Sequence, residues 1–187
     1  MACITGIAKN ITSDCSTSLS GGLEVEAWVF NRAALTPTYD VSEGNLLTSL
    51  VMVGAAVGYK LKGIKKLLNA GHDIVVADDR PDKYTHFFSF QGFEILSEDI
   101  LNLDDLNDIV VAVELKDKND TGEGVFALYG LKKGLWKSTD TRRWNDINGA
   151  RNIEMTSLAG QEEPYSHYIL LDTDYATTRA LLESLLT

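Results

Sequence analysis

The sequence predicts an α+β chain, mainly antiparallel β, with one helix near its middle and a short helix at its C-terminal end. Three observations carry this prediction. Apolar and polar residues alternate with period two in several short stretches. Those stretches are rich in β-branched and aromatic residues and are bounded by turn-forming Gly, Asn, Asp and Ser. A helical step in the apolar residues appears only around Ile100 and again beyond Asp174.

Residues 1–22 are rich in Ser, Thr, Gly and Asn without sustained period and read as an N-terminal arm; residues 23–187 read as a single β domain. "GGLEVEAWVFNRA" is a glycine turn and a strand, with Leu23, Val25, Ala27 and Val29 on one side and Glu24, Glu26, Trp28 and Phe30 on the other. "AALTPTYDVSEGN" reads as a connecting loop around Pro37. "LVMVGAAVGYKLKGIKKLLNA" reads as strand, glycine bend and strand, and the apolar insert "LNAGHDIVVADDRPDK" after it keeps an open local structure. "KYTHFFSFQGFEIL" alternates Tyr84, His86, Phe88 and Phe90 against Thr85, Phe87, Ser89 and Gln91, a strand by its aromatic content.

"SEDILNLDDLND" predicts the mid-chain helix, with Ser97 as N-cap and Ile100, Leu103 and Leu106 as its apolar stripe. "IVVAVELKD" and "VFALYGLKKGLW" predict a hairpin across the turn-rich "KDKNDTGEG". "STDTRRWNDINGA" reads as a polar loop, "RNIEMTSLAG" and "SHYILLD" as strands, and "DTDYATTRALLESLL" as an amphipathic helix carrying Leu181, Leu182, Leu185 and Leu186.

Composition narrows the function. With 17 basic against 27 acidic residues the net charge is −10, a field that repels phosphate and argues against a dedicated nucleic-acid binder. The longest apolar run, around Leu46 to Val57, is broken by Thr48, Ser49 and Gly54 and is short of the roughly 20 residues that span a bilayer. Cys3 and Cys15 follow no secretory signal and are expected as reduced thiols, with a disulfide as the alternative.

The stretch Val51 to Asp79 imitates a nucleotide-binding strand, loop, helix and strand, ending in Asp78 and Asp79. A dinucleotide loop needs three glycines, for the turn, the approach to pyrophosphate and the helix packing, and here only Gly54 and Gly58 are offered. A small nucleotide-binding α/β enzyme is therefore the alternative reading. His72, His86 and His167 lack ligand spacing and read as ordinary surface or strand histidines. Asp104 with Asp105, and Glu162 with Glu163, read as solvated acids. The expectation is no catalytic, cofactor-binding or metal-binding residue, and no enzyme.

Several segments resemble the tail-tube-type virion proteins of bacteriophages, in particular acidic ones of phages of gut bacteria. The segments are "CSTSLSGGLEVEAWVFNR", the "YKLKG" and "YTHFFSF" portions of the middle, "VVAVELKDKNDTGEGVFALYGLKKGLW" and "NGARNIEMTSLAGQEEPYSHYIL". The resemblance implies a tail-tube-like β-sandwich or small barrel, assembled into a homo-oligomeric ring by strand pairing between subunits. That ring is either a tail tube or a head-proximal adaptor ring. The implied partners are further copies and other tail or portal-associated virion proteins, with double-stranded DNA passing unbound and no membrane; the implied place is the virion, after assembly in the host cytoplasm. Within it, Leu23, Val25, Trp28 and Phe30 become interface candidates and Glu24 and Glu26 candidates for a lumen-facing acidic strand. The arm and the "KDKNDTGEG" tip are expected to reach neighbouring subunits.

Overall fold

The computed structural model describes residues 22–62, 68–78, 81–92, 97–116, 118, 123–146 and 149–186, and of 97–99 the backbone alone. The strands in order are β1 (Leu23–Asn31), β2 (Leu35–Tyr39), β3 (Leu46–Met52), β4 (Tyr59–Lys62), β5 (Asn69–Val75) and β6 (Lys83–Gly92). Then come α1 (Ser97–Asp104), β7 (Asn107–Leu115), β8 (Phe126–Tyr129), β9 (Leu135–Arg142), β10 (Arg151–Thr156), β11 (Tyr168–Leu170) and α2 (Tyr175–Ser184). The α+β, mainly antiparallel class holds, as one open sheet in which β11 and β3 form the one parallel pair among the described residues.

The sheet is organised about β7, whose "IVVAV" run has no polar residue to offer water on either face. β7 pairs with β1 and, along its length, with both β8 and β9. From β8 the sheet runs through β11 and β3 to β2, and from β9 it runs through β10 and β6 to β5; β4 extends it beyond β1. Period two then sends alternate side chains to different cores. Ala27, Val29, Val111 and Val113 join Phe88, Phe90, Ile153, Met155 and Leu103 in one cluster. Trp28, Phe30, Val110 and Ala112 join Phe126, Leu128, Leu47, Tyr168 and Leu182 in the other.

Both helices close against these cores. In α2, Asp174 caps the first turn by accepting from the Thr177 N–H at 2.8 Å, and Leu182 and Leu185 are the buried leucines. Burying each such leucine stabilises the fold by roughly 1.5–3 kcal/mol. The short α1 buries Leu103, while Leu106 falls after its end. Lys137 Nζ donates to the carbonyls of Leu103 and Asp104, at 2.7 and 2.9 Å, satisfying the C-terminal turn. The helix starts at Ser97 itself, and the side chain expected to cap it lies outside the described residues.

Three local readings are corrected, and one left open, the insert after Leu68, is filled. Pro37 lies in strand β2, opposite Leu50; β2 is an edge strand, where a missing N–H can face the unpaired side. The insert after Leu68 holds β5, which runs antiparallel to β6 from Asn69↔Ser89 to Val75↔Lys83. "VFALYGLKKGLW" divides into β8 and the start of β9, because Gly130 and Gly134 turn the chain with φ of 76° and 77°. A Cβ at Gly130 would stand 2.9 Å from the Ile109 carbonyl oxygen. Finally, "STDTR" continues β9 rather than forming a loop; both its faces carry polar residues, so alternation gives no sign of it.

Asp108, at φ 52°, marks the register shift where β7 leaves β9. Its carboxylate holds the fork of Arg32 through Nε at 2.6 Å and Nη2 at 2.9 Å. The N-terminal arm, both cysteines and most of the "KDKNDTGEG" tip lie outside the described residues.

Candidate functional site

Along β1 the expected interface and lumen residues part company. The backbone of β1 is paired on both sides from Ala27 to Val29, with β4 and with β7. Trp28 and Phe30 are wholly buried in the chain's own core, so neither side chain is free to meet another subunit. The helix that covers this aromatic face, α2, is remote in sequence, so alternation along the strand gives no sign of it. Leu23 and Val25 remain half-buried at the strand's start.

Glu24 and Glu26 lie in a belt of ion pairs. Glu26 stands opposite Lys62 in the β1–β4 register and lies 3.6 Å from both Lys60 Nζ and Lys62 Nζ and 3.3 Å from Arg179 Nη2. Glu24 is 3.6 Å from Lys118. Beside them Glu114, its side chain 1 % exposed, accepts from Tyr175 Oη at 2.7 Å and pairs with Lys118 at 2.8 Å and with Arg179. Lys60 and Arg179 stand over the Trp28 ring at 5.4 and 5.7 Å. Such cations attract the negative face of an indole and shield it from water. The Glu114 hydrogen bond, chiefly, holds the Lys118 ammonium above the ordinary lysine range. The acids of this face are thus locally neutralised.

The open edges of the sheet differ from one another. β4 carries Lys60 and Lys62, and β2 carries Pro37, both features that discourage pairing with a further strand. Among the described residues β5 pairs with β6 alone, and it has neither lysine nor proline. At its end Ile74 and Val76 are 55 % and 70 % exposed.

A polar centre lies behind β5. Glu163, fully buried, accepts from the backbone N–H groups of Lys132 and Lys133 through Oε1, at 2.9 and 2.7 Å, and from Tyr168 Oη through Oε2 at 2.9 Å. His86, also fully buried, sits between Tyr129 and Tyr168, its ring centroid 5.2 and 6.4 Å from theirs. His72 stacks on His167 at 6.2 Å. The three histidines, dispersed in sequence, therefore gather at one place, and Glu163 is no solvated acid. Asp104 is exposed, as a solvated acid is, and with Asp140 it also pairs with Arg151, whose Nε lies 2.7 Å from Asp140 Oδ1. Two signals could have found these groups: Glu114 follows directly on the apolar run of residues 109–113, and His86 occupies an inward position in an aromatic strand.

Among the described residues no three His, Cys, Asp or Glu side chains come together as metal ligands. In the nucleotide-like stretch, Gly54 turns the chain at φ 67°, and Tyr59–Lys62 are a strand where that reading needs the first turn of a helix. Asp78 is described and Asp79 lies outside the described residues. A groove of about 670 Å³ opens between β4, α1 and the end of β6, lined by Tyr59, Leu61, Phe90, Asn102 and Leu106 among others. Residues 63–67 and 93–96, which continue directly from its walls at Lys62 and Gly92, lie outside the described residues. No helix of the described residues is long and apolar enough to cross a membrane. No protein-family model, curated protein or solved structure matches the chain.

Proposed function

We propose that the chain is a structural subunit of a bacteriophage tail, forming a homo-oligomeric ring around the DNA channel by pairing strands between subunits. The observation that carries this reading is β5, a seven-residue strand with one edge unpaired among the described residues and with its Ile74, and Val76 just past its end, in solvent. An edge of this length without proline, lysine or bulge invites another strand, and a closed ring leaves no such edge exposed. The resemblance of the quoted segments to tail-tube-type proteins names the assembly. On this reading the interface moves from Trp28 and Phe30 to β5, with Leu23 and Val25 as flanking contacts. The fold is a tail-tube-like sandwich or barrel, and other tail or portal-associated proteins stack on the ring.

The test is the size of the purified chain by light scattering coupled to gel filtration, with negative-stain microscopy. The wild type is expected as rings or tubes, and Ile74→Lys, which puts a charge beside the edge, as a folded monomer. A wild type that stays monomeric at the highest soluble concentration, with Ile74→Lys indistinguishable from it, overturns the reading.

A further inference from the structure

We propose that His86 is an acid-release latch, a neutral imidazole whose protonation at Nδ1 frees the Gly130–Gly134 turn from β6. The geometry determines its tautomer. The Gly130 N–H donates to Nδ1 at 3.0 Å, so Nδ1 carries no proton. Nε2 lies 2.8 Å from the Tyr165 carbonyl oxygen, which can only accept, so Nε2 carries the proton. An incoming proton has one place to go. It would turn Nδ1 into a donor facing a donor, at a site with no exposure to water.

The surroundings determine what is released. The turn's amides are held by side chains of two other segments: Gly130 by His86 of β6, and Lys132 and Lys133 by Glu163. The His86 backbone is itself bound, its N–H donating to Ser157 Oγ at 3.1 Å and its carbonyl accepting from the Ser157 N–H at 3.0 Å. One imidazole thus joins β6, the turn after β8 and the segment leading into β11.

The titratable groups facing it are His72 of β5, Tyr129 of β8, Tyr168 of β11, and Glu163, Tyr165 and His167 of the segment before β11. Burial pushes the His86 imidazole below the ordinary histidine value of 6.5, opposed by the Tyr165 carbonyl and Glu163 and reinforced by His72 and His167. Burial likewise lowers His167, and His72 adds to that. A histidine held low in the folded state binds fewer protons than the unfolded chain does. Its full contribution is present above 6.5 and is lost as pH falls from there through the folded value. The loss is expected to be local, because none of the three histidines lies in β7 or in the two apolar cores.

The experiment is hydrogen exchange on the full chain at about pH 7.5 and about pH 5, expressed as protection relative to intrinsic exchange. It compares wild type with His86→Gln, whose amide can offer the same acceptor and donor but cannot titrate. In wild type, protection at Gly130, Lys132 and Lys133 is expected to fall roughly tenfold or more while Val111 is unchanged, and in His86→Gln to persist. Constant protection at Gly130 in wild type, a fall shared equally by Val111, or the same fall in His86→Gln overturns the proposal. Should His86→Gln not fold, the ¹⁵N shift of His86 Nδ1 in the wild type decides. Nδ1 protonation that tracks the loss of Gly130 protection supports the latch, and protonation with that protection intact overturns it.

Discussion

Glu163 and Glu114 are carboxylates out of reach of water, and each is kept by a different means. Glu114 meets two cations and a tyrosine. Glu163 makes no ion pair among the described residues and is held by two amides and the Tyr168 hydroxyl. A buried acceptor that loses its donors, or donors that lose their acceptor, costs about 1–3 kcal/mol per group. Glu163→Ala is therefore expected to destabilise the fold by about 3 kcal/mol or more, and Glu163→Gln by less, since its carbonyl can still accept from both amides. Urea unfolding of the two variants measures the difference. Equal losses would show that the charge rather than the acceptor geometry is what the turn requires.

At the scale of elements, α2 distinguishes neighbouring leucines that look equivalent in sequence. Leu182 is wholly buried against Trp28, Leu47 and the rest of its cluster, whereas Leu181 is only partly covered. Leu182→Ala is expected to cost about 2–5 kcal/mol and Leu181→Ala clearly less. Thermal or urea unfolding checks the order, and a reversed order would mean that the helix is rotated on the sheet. The polar side of α2 also does something the sequence does not announce. Arg179 and Glu183, one turn apart, reach across to Glu26 and Lys60 and fasten the helix over the indole of Trp28.

For the whole molecule, the belt of ion pairs would alter, in the proposed tail ring, how the acidic charge bears on DNA passage. Glu26 faces three cations, so reversing it would bring a lysine beside Lys60, Lys62 and Arg179. Glu26→Lys is expected to lower the melting temperature and, if the chain forms the proposed tail ring, the yield of particles before any change in ejection can be read. Among the described residues Glu24 has one ion-pair partner, at 3.6 Å, and is half-buried, so Glu24→Lys is the cleaner probe. If the ring surrounds the DNA path with Glu24 in its wall, complemented phage should assemble normally and eject slowly, with the delay relieved by salt. Normal ejection at every ionic strength would place Glu24 away from the channel.

By itself the sequence determined the fold class, the strands carried by aromatic and β-branched alternation, the glycine bend before Tyr59 and both helices, because these follow from the spacing of apolar residues along a single element. The tertiary structure alone decided which faces are covered: Trp28 and Phe30 belong to the protein's own core because α2, some 150 residues away in the chain, folds over them. It alone revealed β2, β5 and the polar continuation of β9, whose pairing depends on neighbours rather than on their own alternation. And it alone gathered His72, His86, His167 and Glu163, since residues far apart in sequence meet only where strands pair and chains turn back, and burial then changes what each can do with a proton.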